Sequence, residues 1–137
     1  MSSKTVVLQA WKAFASRQPE QVAEVFTEDA EWLAPAGNAT ARAIDGTHHL
    51  VGRDRIVRFL TAEFPAMFSD VTVEFRAVVA EGNIVVVEER MRATQPGGRP
   101  YENDYCFVFE VQDGLVQRVR EYMDTRRGAE MFGPVPF

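Results

Sequence analysis

The 137-residue chain is 46% hydrophobic and carries 15 Lys+Arg against 20 Asp+Glu, a formal charge of -5. Such a length and composition suit one domain with a single core, and the acidic balance argues against a nucleic-acid partner. A lone cysteine, Cys106, excludes an intrachain disulfide and a multi-thiolate metal site.

The start "MSSKTVVLQAWKAF" lacks the apolar stretch of a signal peptide, and no run approaches the ~20 apolar residues of a membrane span. A cytoplasmic protein with no membrane partner is therefore expected. Val7, Ala10, Trp11 and Phe14 recur with helical spacing behind a Ser2 or Ser3 cap, and Pro19 opens a second short helix burying Val22, Val25 and Phe26. "AEWLAP" reads as a short strand ended by Pro35. "AGNATARAIDGTHHLVG" is too poor in periodic apolar residues for a regular element and reads as a long loop. A third helix is expected from about Asp54 to Phe64, ended by Pro65.

From Val71 onward the pattern turns to strands: "VTVEFRAVVA", "IVVVEERMRAT", "YENDYCFVFEV" and "LVQRVREYM". The breaks "EGN", "QPGGRP" and "QDG" supply the residues that hairpin connections need, so a four-stranded antiparallel meander follows. Helices first and strands afterwards indicate an α+β domain, with helices packed on one face of a curled antiparallel sheet.

Strand side chains alternate between faces. On the third meander strand Tyr101, Asn103, Tyr105, Phe107, Phe109 and Val111 share one side, which must face the helices, while Cys106 falls on the other. An apolar wall with a few polar handles is how ligand pockets are lined, and Trp32 on the first strand is a further candidate for that wall. On the last strand Leu115, Gln117, Val119, Glu121 and Met123 share a face. If it is the same interior, a glutamate stands inside it.

Burial of an unpaired Glu disfavours the charged form and raises its pKa toward neutrality, where general acid/base transfer is effective. The alternative for Glu121 is a structural ion pair with Arg90 or Arg92, which would lower its pKa instead. Glu88, Arg90 and Arg92 alternate on one face of the second meander strand and Glu89 and Met91 on the other. Because "IVVV" before them is apolar on both sides, alternation leaves the interior face open.

The helical start followed by "VFTEDAEWLAP", the "GRDRIVRFL" helix and the ending "YCFVFEVQDGLVQRVREYMD" resemble the nuclear transport factor 2-like superfamily, which includes ketosteroid isomerases, SnoaL-like polyketide cyclases and limonene epoxide hydrolases. The resemblance implies a cone-shaped barrel around a deep pocket, one SnoaL-like domain over 1–137, and a homodimer. A ketosteroid isomerase would have its aspartate base at Ala34 and its phenol near Ala10, so that activity is excluded. A limonene epoxide hydrolase has Arg-x-Asp on a central strand and Asp on the last; here these are Arg90-Met91-Arg92 and Glu121, with the middle carboxylate replaced. The tail "REYMDTRRGAEMFGPVP" is similar to the end of phenazine biosynthesis A and B proteins. That likeness makes Glu121 an acid/base group and Gly133-Pro134-Val135-Pro136 a shortened closing tail.

These readings together describe an enzyme of the isomerase, cyclase or hydro-lyase type, needing no cofactor or metal. Its expected catalytic residues are Glu121, Arg90 and His49, the last as a second proton carrier from the loop. Trp32, Asn103, Tyr105, Phe107, Val119 and Met123 are expected to bind a flat or terpenoid-like apolar molecule. A non-catalytic ligand-binding or dimerisation module is the alternative. Asp124 is expected to anchor the turn into "TRRG".

Overall fold

The computed structural model describes residues 1–44 and 46–133. In chain order the elements are α1 (Ser3–Ser16), α2 (Pro19–Ala23), β1 (Phe26–Leu33), α3 (Ala39–Ala43), β2 (His49–Val51) and α4 (Arg53–Arg58). A π turn (Phe59–Glu63) then leads into α5 (Phe64–Met67), β3 (Ser69–Glu81), β4 (Ile84–Thr94), β5 (Pro100–Gln112), β6 (Leu115–Met123) and α6 (Thr125–Phe132). The α+β class and the four-stranded meander are as expected, and the curved sheet has six strands in the order β2-β1-β6-β5-β4-β3.

Local chemistry explains the early elements. Ser2 caps α1 by accepting a hydrogen bond from the Thr5 amide at 3.1 Å, and Val7, Ala10 and Phe14 bury its apolar stripe. The "QDG" break forms a two-residue connection in which Asp113 and Gly114 both have positive φ, 51° and 79°. A type I′ hairpin turn requires that pairing, and Asp and Gly tolerate it.

Nonlocal pairing was not readable from the pattern. β1 runs parallel to β6, with Trp32 opposite Val119, so the first and last strands lie side by side within the sheet. β2 pairs antiparallel with β1 at the edge. The segment expected as one long loop thus contains β2 and also α3, whose N-cap Asn38 accepts from the Ala41 amide at 3.0 Å. Five residues are too few to show a helical period.

Two other expectations are corrected. Pro65 does not end the third helix, which runs on through Met67. The π turn before it widens the hydrogen-bonding step to five residues, the Phe64 amide bonding to the Phe59 carbonyl, and this accommodates a residue without an N–H. On β6, a register shift between Glu110 and Val111 of β5 brings Val116 into the core in place of Leu115 and Gln117. The tail beyond Gly133, with its Pro134-Val135-Pro136 motif, lies outside the described residues.

The core fills the space between the helices and the inner sheet face. Phe14 stacks on Phe26, and Trp11 meets the edges of Phe107 and Phe109. No helix among the described residues is long and apolar enough to cross a membrane. At one end, Asp124 caps α6 by accepting from the Arg127 amide at 2.9 Å, so the expected anchoring role is a helix N-cap. Asn103 fastens the same junction. Fully buried, it donates to the Asp124 carbonyl at 3.0 Å and to the Tyr101 hydroxyl at 3.3 Å. Replacing Asn103 by Ala removes both of these hydrogen bonds from the junction, and urea denaturation is expected to show a loss of about 2 kcal/mol.

Candidate active site

A cavity of about 880 Å³ opens between α1, the π turn, the start of β3 and the inner faces of β4, β5 and β6. Exposed wall residues Leu8, Lys12, Ser69 and Asp70 mark its mouth. Its deeper wall includes Trp32, Tyr105 and Phe107, three of the residues expected to bind substrate, and Glu121. The Tyr105 and Phe107 rings stack with centroids 5.7 Å apart, and the Tyr105 hydroxyl shares a 2.7 Å hydrogen bond with that of Tyr101.

Glu121 reaches this wall because Val119 and Glu121 lie on the inner face of β6. The parallel pairing of β1 with β6 then sets Trp32 beside it, and the indole Nε1 donates to Glu121 Oε1 at 2.8 Å. No cation pairs with Glu121 among the described residues, so the ion pair with Arg90 or Arg92 does not form. Burial pushes its pKa from the ordinary 4.5 up to about 7, against the opposing pull of the Trp32 hydrogen bond.

A second carboxylate enters the site that alternation alone did not place. Glu89 is 2% exposed, lines the same cavity, and its Oε2 has no hydrogen-bond partner among the described residues. Burial raises its pKa to about 8, and the negative charge of Glu121 adds to the shift. The two acids sit diagonally across β5, since Glu89 pairs with Tyr105 and Glu121 with Phe107. They titrate as a coupled pair, with Glu121 ionising first. The strand that lacks the Asp of Arg-x-Asp at Arg92 thus still supplies an inward carboxylate, three residues earlier, at Glu89. Strand pairing held the signal, because the residue opposite Tyr105 must share its inward face.

The same parity removes Arg90 from the site. It lies on the outer face of β4, bonded to Glu102 and, at 2.9 Å, to Asp104. His49 is also corrected: it points outward on edge strand β2, its Nε2 2.8 Å from Glu31, which Arg118 contacts at 3.2 Å. Its neighbour His48 takes the inward phase. It lines a small hollow of about 30 Å³, which shares Trp32, Thr40, Phe59 and Glu121 with the large cavity. Such a volume accommodates one water-sized molecule.

Three expected binding residues stand apart from the cavity wall. Val119 is fully buried in the core, Met123 packs against that core, and Asn103 is engaged in the α6 junction. Cys106 remains on the outer side of β5, half-buried, as its phase requires. No group of three or more His, Cys, Asp or Glu placed to hold a metal occurs among the described residues.

The sequence profile of the SnoaL-like domain matches residues 7–119. The chain belongs to the SnoaL-like domain family. Solved structures show the same fold at low identity. A nuclear transport factor 2-like protein of unknown function from Burkholderia pseudomallei superposes with a TM-score of 0.82 at 18% identity, covering 98% of this chain and 100% of that one. TerC, co-crystallised with polyporic acid, gives 0.81 at 23% identity over 97% and 100%. A protein with a ketosteroid isomerase-like fold from Catenulispora acidiphila, in complex with trimethylamine, gives 0.75 at 17% over 95% and 93%. No curated protein matches the sequence significantly.

The raised pKa values have a consequence for this SnoaL-like domain's stability. A carboxyl whose pKa is higher folded than unfolded holds its proton more tightly when folded, so its contribution is complete below the unfolded value and is lost as pH rises through the folded one. For Glu89 that window runs from 4.5 to about 8, and for Glu121 from 4.5 to about 7. Thermal melts of Glu89→Gln and wild type are expected to agree near pH 4 and diverge upward, the variant being the more stable at pH 8.5. Parallel curves over this range contradict the burial of Glu89.

Proposed function

We propose that this SnoaL-like domain is a proton-transfer enzyme, an isomerase, cyclase or hydro-lyase requiring no cofactor, acting on an apolar polycyclic or terpenoid skeleton. The observation that carries the reading is Glu121, a carboxyl titrating near neutrality in the wall of a large apolar cavity and oriented there by Trp32.

The two acids suit different roles because their environments separate their pKa values. Near pH 7 Glu121 exists in both forms, so its carboxylate accepts a proton from a carbon next to a substrate carbonyl and its acid form returns one to another atom. Glu89, with a pKa about one unit higher, stays mostly protonated and donates a hydrogen bond to the oxygen on which negative charge develops. The flat rings of Tyr105 and Phe107 give a planar skeleton a surface to lie against. The fold shared with proteins of ketosteroid isomerase-like architecture supports an isomerase or cyclase class as an analogy.

Deuterium incorporation from D2O into a panel of polycyclic ketones, followed by mass spectrometry, tests the reading with compounds chosen only for a flat skeleton and an acidic C–H beside a carbonyl. Glu121→Gln is expected to lower exchange by about 10²–10⁴ while ligand affinity is retained. Exchange that continues unchanged in Glu121→Gln removes Glu121 from the chemistry, and a protein that binds ketones with no exchange at all is a binding module.

A further inference from the structure

At the mouth of the cavity, opposite in character to its acidic interior, stands Arg17. It forms part of the cavity wall and follows α1 as its C-cap. Its backbone is in the left-handed region, φ 56°, where Gly or Asn is the relaxed choice. Helix capping therefore does not explain an arginine at this position.

Nor does an ion pair. Arg76, Arg90, Arg92, Arg118 and Arg120 on the outer sheet face all reach carboxylates. Arg17 has no carboxylate partner among the described residues, although it is half-buried and burial pulls its pKa below the usual arginine value. Asp70 on the rim forms no bridge to it. Its contacts are the Phe64 ring, with Cζ 4.6 Å from the centroid, and one long hydrogen bond from Nη1 to the Leu60 carbonyl at 3.4 Å. The guanidinium is held over the Phe64 ring, and most of its five N–H groups have no acceptor among the described residues. A planar, partly desolvated fork of donors is the group that recognises a carboxylate in bidentate fashion.

We propose that Arg17 anchors a carboxylate on the substrate, making the ligand of this cavity an acidic, flat apolar molecule in place of a neutral one. The proposal rests on reading the cavity as a substrate site and adds the substrate's charge. Such a ligand enters with its ring system toward Tyr105, Phe107 and the two glutamates, and its anionic end stays at the mouth. Exposed Lys12, also on the rim, favours its approach without fixing its orientation.

The test uses anthracene-2-carboxylate and anthracene-2-carboxamide as probes, titrated at pH 6 and low salt, with tryptophan fluorescence as readout. At that pH Glu89 and Glu121 are mostly protonated, so neither repels the anion. Wild type is expected to bind the carboxylate about 10-fold more tightly than the amide. Arg17→Asn, which suits the left-handed backbone, should bring the two affinities within about two-fold; Arg17→Lys should keep part of the preference, and Lys12→Ala nearly all of it. Equal affinities in wild type, a preference that survives Arg17→Asn, or one that disappears with Lys12→Ala overturns the assignment. This outcome is separate from the exchange assay. A protein that exchanges deuterium but ignores the probe's charge keeps its proton-transfer role and loses the anion anchor.

Discussion

A carboxyl group held inside an apolar hollow has lost its water, and must take a partner from the protein or keep its proton. For Glu121 that partner is the indole N–H of Trp32, a neutral donor that orients the carboxyl without fixing it as a permanent anion. An arginine in the same place would have held the group ionised and spent its basicity. The contact spans 89 residues of sequence and exists because the first and last strands pair in parallel, so the closure of the sheet and the tuning of the acid are one event.

The strands that carry the site divide charge by face. Inward, Glu89 and Glu121 have no cationic partner among the described residues and are driven toward neutrality. Outward, the intervening residues of the same strands form a ladder of opposite charges: Arg90 with Glu102 and Asp104, Arg92 with Glu74 and Glu102, and Arg118 and Arg120 with Glu110. Exposed pairs of this kind contribute little to stability. Their more important effect is that each cation already has a partner on the solvent side, leaving the interior acids to be governed by desolvation.

How much of this was legible depended on whether a strand declared its phase. The aromatic run of β5 alternates so clearly with polar residues that its inner face, including Tyr105 and Phe107, follows from the sequence, and Glu121 follows from the outer end of β6. Near Leu115 the same alternation fails, because an extra residue in the register is invisible until the partner strand is known. Four consecutive apolar residues before Glu88 carry no phase, which is why Glu89 and Arg90 could not be told apart. His48 and His49 present the same ambiguity at the start of a strand only three residues long, His49–Val51, where no alternation can be established. Parallel pairing between chain ends depends on global closure, which no local window contains.

The π turn of residues 59–63 places Phe59 and Leu60 in the cavity wall just before Phe64 and Pro65. A π turn amounts to one residue inserted into an α-helix without interrupting it. The contour of this part of the cavity wall is therefore set by a helix whose phase can be altered by a single-residue insertion or deletion, while the sheet that holds the two acids is untouched. The architecture separates the shape of one wall from the footing of the two acids, so that the panel can be recut around an unchanged hearth.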